Sequence, residues 1–250
     1  MNPRPNRFGH AVRSDRAPRR PELGWLWTVF GVLVSLAAGF SLFAAPPPLM
    51  ERAVLFDGKT LDGWEKTDFA NSGEVKVEGG MILLREGRAM TGITSNRKDL
   101  PTVNYELTYE AQRLDGSDFF AAATFPVGQS HITLVNGGWG GTITGLSSID
   151  GADASENDTT TPYKYKNNVW YRFRVWVTAK VIQGWINEEK VIDIDYQGRE
   201  IGTRIETSAN KPLGFATWET SGAVRGIVVR PLTAAEIAAS EPKPKPEASP

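Results

Sequence analysis

Two Asp-Gly pairs, Asp57-Gly58 and Asp62-Gly63, sit five residues apart inside the stretch Leu55-Phe56-Asp57-Gly58-Lys59-Thr60-Leu61-Asp62-Gly63-Trp64-Glu65. Glycine reaches positive φ without steric cost and aspartate bonds its own backbone, so each pair marks a tight turn. Phe56, Leu61 and Trp64 are then expected to point into a core at the mouth of a β-domain, with Trp64 buried rather than contacting a ligand.

Beyond Glu65 the chain reads as strands divided by turns. Glu74–Glu78 and Met81–Arg85 form an expected hairpin over Gly79-Gly80. In 103–113, Tyr105, Leu107 and Tyr109 alternate with Glu106, Thr108 and Glu110, the period-two pattern of a strand with one buried and one wet face. Runs at 118–125, 130–135 and 142–149 come next, the last reached through the glycine-rich turn Asn136-Gly137-Gly138-Trp139-Gly140-Gly141. Strands resume at 170–178, 181–187, 190–195, 213–218 and 223–230, and Thr233–Ser240 reads as a short helix. About a dozen such strands predict an all-β sandwich of two antiparallel sheets. With 250 residues the chain has room for one domain of this kind with tails, not two. Twenty-five glycines and eight tryptophans suit a turn-rich β-protein.

The first 50 residues differ. Six arginines against Asp15 and Glu22 give residues 1–22 a net charge of +4, leaving −5 for the rest of a chain whose total is −1. An uncharged run begins at Leu23, and its apolar part to Ala45 spans 23 residues. That is long enough to cross the roughly 30 Å hydrocarbon core as a helix. The arginines would keep the N-terminal side in the cytoplasm, so a signal-anchor or a cleaved signal peptide is expected, with the domain after it outside the cytoplasm. The expected divisions are a basic cytoplasmic segment at 1–22, the hydrophobic helix at 23–45, a Pro-rich linker at 46–52, the β-domain at 53–232, and the short helix with a Pro/Lys/Glu tail at 233–250. The basic segment is explained by the membrane it precedes, and no basic patch interleaved with aromatics suggests nucleic acid.

The chain has no cysteine, which excludes disulfides, thiol catalysis and cysteine metal sites. Two histidines, His10 and His131, are too few for a multi-histidine metal site.

The opening motif also carries a resemblance. LFDGKTLDGWE resembles the start of the 3-keto-disaccharide hydrolase-like domain family, formerly a domain of unknown function. Gly79-Gly80-Met81-Ile82, Trp170-Tyr171-Arg172 through Trp185-Ile186-Asn187, Lys211-Pro212-Leu213-Gly214-Phe215 and Arg225-Gly226-Ile227-Val228-Val229-Arg230 are similar to later motifs of that family. The likeness covers roughly residues 53 to 232. It implies a concanavalin A-like lectin/glucanase jelly roll and a carbohydrate ligand. It also implies a particular reaction: a ketone at C3 of a sugar acidifies the C2 hydrogen, a base removes it, the glycosidic oxygen leaves C1, and water then adds. Two alternatives share the fold: a non-catalytic glycan-binding module and a laminin G-like protein-interaction domain.

The carboxylates are consistent with such chemistry more than with direct hydrolysis. Glu106 and Glu110, four apart on one strand face, lie about 13 Å apart, beyond the roughly 5–9.5 Å of a retaining or inverting pair. Asp193 and Asp195 have closer spacing but are expected to be exposed and structural. Elimination needs a base, a stabiliser for the enolate and an acid. Candidate catalytic residues are Asp118, His131, Asp115 and Glu110. His131 or Asp118 is the expected base, because the family's acidic strand is here His131-Ile132-Thr133-Leu134-Val135-Asn136. Candidate sugar contacts are Trp139, on its glycine platform, with Arg174, Arg172 and Trp176 on a wet strand face. Asp150, Asp153 and Glu156, in the most acidic loop, are hard oxygen ligands that could hold Ca²⁺ or another divalent metal, though not as an EF-hand.

Overall fold

The computed structural model describes residues 51–242. Fifteen strands run in chain order: β1 (Ala53–Val54), β2 (Trp64–Lys66), β3 (Val75–Glu78), β4 (Met81–Leu84), β5 (Met90–Ser95), β6 (Tyr105–Gly116), β7 (Ala122–Val127) and β8 (Ser130–Gly137). Next come β9 (Ile143–Ser147), β10 (Thr161–Pro162), β11 (Tyr171–Val177), β12 (Val181–Ile186), β13 (Glu189–Asp195), β14 (Gly214–Trp218) and β15 (Thr220–Pro231). They pair antiparallel into two sheets. The first has the order β13-β12-β11-β6-β15-β4-β3 with β1 also on β15, and the second the order β10-β9-β8-β7-β14-β5-β2. The all-β sandwich expected from the sequence is what forms.

The opening turns act as anticipated. Asp57 Oδ1 accepts the amides of Lys59 and Thr60 at 2.7 and 2.8 Å, and Gly58 and Gly63 take φ values of 79° and 83°. The chain thereby folds back so that Phe56 and Trp64 are buried, and the Trp64 indole N–H donates to the Leu55 carbonyl at 2.7 Å. An indole inside a core needs such a partner.

Alternation along each strand sends one set of side chains between the sheets. Tyr109 and Phe173 of the first sheet stack at 4.9 Å, and Tyr109 meets Phe215 of the second edge-on at 4.9 Å. The Tyr105 hydroxyl crosses the layers to the Pro126 carbonyl at 2.6 Å. On β8, Ile132 and Leu134 belong to this core, so His131, Thr133 and Val135 occupy the opposite, outer face. On β11 the core takes Tyr171, Phe173, Val175 and Val177, which leaves Arg172, Arg174 and Trp176 on the outer face of the first sheet.

Residues 200–212 lie across the outer face of the second sheet. Ser130 donates to the Ile201 carbonyl, Thr133 Oγ1 bonds Thr207 Oγ1 at 3.0 Å, and the Asn210 amide donates to the Ile93 carbonyl at 3.0 Å. This cover buries Thr94, Thr124 and Thr133 although they point away from the core.

The expected short helix forms as Ala234–Ser240, started by a capping box between Thr233 and Glu236. Among the described residues no helix is long and apolar enough to cross a membrane. This corrects the membrane, transmembrane and signal-anchor expectation: among the described residues no helix is longer than seven residues. The segments 1–22 and 23–45, most of the 46–52 linker, and the end of the tail lie outside the described residues.

Candidate functional site

A cavity of about 220 Å³ opens on the outer face of the second sheet. Its floor is Thr133 and Val135 of β8 with Ser147 of β9, and two indoles, Trp139 and Trp218, stand in its walls beside Phe119. Asp118, Arg204, Glu206 and Thr207 supply the polar groups.

Trp139 is shaped by its neighbours. It takes φ 51° and ψ 53°, a left-handed conformation that costs a side-chain-bearing residue roughly 1–2 kcal/mol. Gly141, at φ 108°, could not be replaced, because a Cβ there would lie 2.3 Å from the Ser117 carbonyl oxygen. The tryptophan is 44% exposed, the largest exposure of any indole among the described exposed hydrophobics. An aromatic held out of the core in strained backbone is a candidate for a functional contact.

Asp118 holds this loop. Its Oδ2 accepts the Gly140 amide at 2.9 Å and its Oδ1 the Phe119 amide at 2.7 Å, while its own amide donates to Thr220 Oγ1 at 3.0 Å. Behind it lies Arg113, only 7% exposed. The guanidinium donates to the carbonyls of Ser117 at 3.0 Å and Tyr165 at 3.0 Å and to Asn167 Oδ1 at 2.6 Å, and no carboxylate is among these partners.

Arg204 is the cation of the cavity. It forks onto Glu206 through two bonds of 3.1 Å and also pairs with Asp153, whose Oδ1 accepts from Ser147 Oγ at 3.2 Å. The hydrogen bond from Arg204 holds the Glu206 carboxyl below the usual glutamate range.

The sequence-derived candidates divide between separate places. Asp118 and Trp139 come together in the cavity. Asp115 is exposed nearby, bonding the Gly116 amide at 2.9 Å. His131 shares the outer face of β8 but lines a different cavity with Lys98 and Lys211, and burial, then the Lys211 charge, lowers its pKa. Glu110, Arg172, Arg174 and Trp176 lie on the other sheet, facing away from the cavity. There Glu110 pairs with Arg225 at 2.7 Å, and Trp176 donates to Glu106, which also takes Arg230 at 2.8 Å. Guanidinium groups cover indole faces: Arg174 over Trp185 at 4.2 Å and Arg225 over Trp170 at 3.9 Å. The candidates therefore fall on two opposed surfaces of the sandwich rather than in one cleft.

In the acidic loop, Asp153 meets Arg204, and Asp150 meets Arg199 together with the Glu200 amide at 2.7 Å, the latter contact being the main cause of its lowered pKa. Glu156 is exposed. Among the described residues no group of three or more His, Asp or Glu stands ready to hold a metal ion.

Sequence reasoning passed over Arg204, Glu206 and Trp218. The first two lie in a stretch between β13 and β14 with no strand periodicity, and their mutual spacing of two was the available signal.

Over residues 51–230 the sequence matches the family described as the 3-keto-alpha-glucoside-1,2-lyase-like domain. The chain belongs to that family, a class of carbohydrate-active domains of the hydrolase and lyase kind. No curated protein matches it. Among solved structures, the Crh5 transglycosylase in complex with NAG aligns with a TM-score of 0.52 at 13% identity, over 76% of this chain and 89% of that one. The apo Crh5 transglycosylase gives 0.51 at 14% identity, over 75% and 88%. A putative glycosyl hydrolase from Parabacteroides distasonis gives 0.46 at 12% identity, over 73% and 94%. At these identities the Crh5 likeness speaks for the sandwich fold alone.

Proposed function

We propose that the tryptophan-walled cavity binds a 3-keto-glycoside and cleaves its glycosidic bond by elimination. The observation that carries this is the pairing, in one cavity, of two indole walls with a carboxylate–guanidinium couple, Glu206 and Arg204. Trp139 and Trp218 hold the C–H faces of the sugar. Arg204 binds the C3 ketone oxygen, and Glu206 takes the proton from C2. The electron pair passes to the C3 oxygen as an enolate beside the guanidinium, the arrangement that lowers the barrier most. The enolate then returns the pair to form the C1–C2 double bond, and the C1–O bond breaks. The proton on Glu206 goes to the leaving oxygen, and addition of water across C1–C2 completes a net hydrolysis. Asp118, with both carboxylate oxygens on backbone amides, serves as the anchor of the Trp139 loop rather than as the base. Action on glycans outside the cytoplasm accords with the arginine-rich start and uncharged run of the sequence.

A second reading, glycan binding without turnover, is favoured by the depressed Glu206 carboxyl, which is a weak base until ligand draws Arg204 away. Incubation with 3-keto and ordinary disaccharides in deuterated water separates the two. The elimination reading expects sugar release and deuterium at C2 from the 3-keto substrates alone, both falling about 10²-fold or more in Glu206→Gln. Binding of sugar with neither release nor C2 exchange selects the lectin reading, and unchanged turnover in Glu206→Gln removes the assigned base.

A further inference from the structure

The cavity that contains His131 has a chemistry of its own. It measures about 390 Å³, within the range of small-ligand sites. Arg97, Lys98, His131 and Lys211 line it together with Leu100, Thr102, Pro126 and Pro212, and no carboxylate does. These residues come from four places: the loop after β5, strand β7, strand β8, and the end of the covering segment before β14. Arg97 is already held by Asp99 through bonds of 2.9 and 2.6 Å, which fixes it as a wall. Lys98 and Lys211 are exposed, and among the described residues neither makes an ion pair or a side-chain hydrogen bond. His131 is half-buried, and that burial, followed by the charge of Lys211, disfavours its protonation. Like charges gathered around an apolar-walled hollow repel one another, and an anion there relieves that repulsion.

The position is separate from the tryptophan cavity. Residues 201–212 lie between them, bonded to β8 on either side of His131 through Ser130 to Ile201 and Thr133 to Thr207.

We propose that this hollow is a second binding site, for an acidic sugar: Lys98, His131 and Lys211 take the oxyanion of a carboxylate or sulfate ester, and the ring lies against Leu100, Pro126 and Pro212. Charge-assisted hydrogen bonds from two ammonium groups, with a further one from the His131 ring N–H, suit a tetrahedral or planar oxyanion equally. The apolar plates suit the C–H side of a pyranose and have no use for a bare ion. This site does not depend on the elimination chemistry of the other cavity.

The chain helps the test, because it has only two histidines. In the full-length protein, with a His10→Gln variant assigning the signals, imidazole resonances are monitored by NMR during titration with glucuronate, glucose 6-sulfate, glucose and inorganic sulfate. An acidic sugar is expected to shift the His131 signal saturably and to raise its pKa, and glucose to leave both unchanged. Lys98→Ala and Lys211→Ala are each expected to weaken binding about tenfold to a hundredfold, the loss of one hydrogen bond to a charged group. Both lysines are exposed, so the folded state survives the change, and the unaltered spectrum of the ligand-free variant checks this. Failure of both acidic sugars to shift His131, or binding unaltered in the double lysine variant, overturns the site. Inorganic sulfate binding as tightly as the acidic sugars overturns the sugar assignment, and glucose binding as tightly overturns the anion assignment.

Discussion

Trp139 shows at the scale of one residue how the candidate site trades backbone comfort for position. Its left-handed φ of 51° and 44% exposure mean that little burial compensates the strain. Trp139→Gly removes a strained Cβ, worth roughly 1–2 kcal/mol, against a comparable entropic penalty for a new glycine. The fold is expected to keep its melting temperature within a few degrees. Sugar affinity is expected to fall about tenfold or more, as for loss of an aromatic anchor. Calorimetry and a binding titration on the same sample check the pair; a large drop in melting temperature would make Trp139 a structural residue after all. The tryptophan was legible in the sequence because nothing beside it in Gly137-Gly138-Trp139-Gly140-Gly141 could bury it. Arg204 and Glu206 were not, since their partnership arises from a loop whose path across the sheet no local pattern records.

Elements are joined at this end of the sandwich by one buried cation. Arg113, on β6, satisfies carbonyls of Ser117 and Tyr165 that have no other donor among the described residues. Arg113→Met keeps the volume and strands these oxygens, at about 3 kcal/mol. Urea unfolding is expected to report that loss, and the Trp139 loop, freed from its anchored Asp118, is expected to bind sugar more weakly. Retained stability and binding would show the network to be dispensable. The C-terminal helix is held differently, by Glu236 on Arg230 at 2.8 and 2.9 Å and on its own capping box. The Arg230 hydrogen bond is the leading cause that sets the Glu236 carboxyl at about 2, against an ordinary 4.5. A depressed carboxyl contributes stability that is fully present above the unfolded value and lost as pH falls through the folded one. Protection of the amides in 234–241, taken relative to unfolded-chain exchange at each pH, is therefore expected to fall between about pH 4.5 and pH 2, and Glu236→Gln to be poorly protected at neutral pH with no further acid step. The helix could be foreseen from Thr233 and Glu236, three apart ahead of an Ala/Ile run. Strand β5 could not: in Met90-Thr91-Gly92-Ile93-Thr94-Ser95 both faces are buried, the outer one under the segment that carries Asn210, so no wet face marks the period.

Across the whole molecule the two outer faces do different work. On the second sheet a covering segment leaves two hollows, whereas on the first sheet Glu106, Glu110, Trp176, Arg225 and Arg230 pair with one another in cross-strand rows. Register accounts for those rows: Glu110 stands opposite both Arg172 and Arg225, and Glu106 opposite both Trp176 and Arg230. The alternation that placed Glu110 and Arg174 on a wet strand face was readable in the sequence. Which sheet that face belonged to was not, because strand order depends on pairings such as β6 with β15, more than a hundred residues apart. The division can be tested with Arg225, whose guanidinium joins Glu110 and lies over Trp170. Exposed ion pairs contribute up to about 1 kcal/mol and cation–π contacts about 0.5–1 kcal/mol. Arg225→Ala is thus expected to lower the melting temperature by a few degrees while leaving sugar turnover at its original rate. A turnover loss as large as that of Glu206→Gln would mean that the first sheet takes part in the chemistry, and the site would have to be sought on the opposite face of the sandwich.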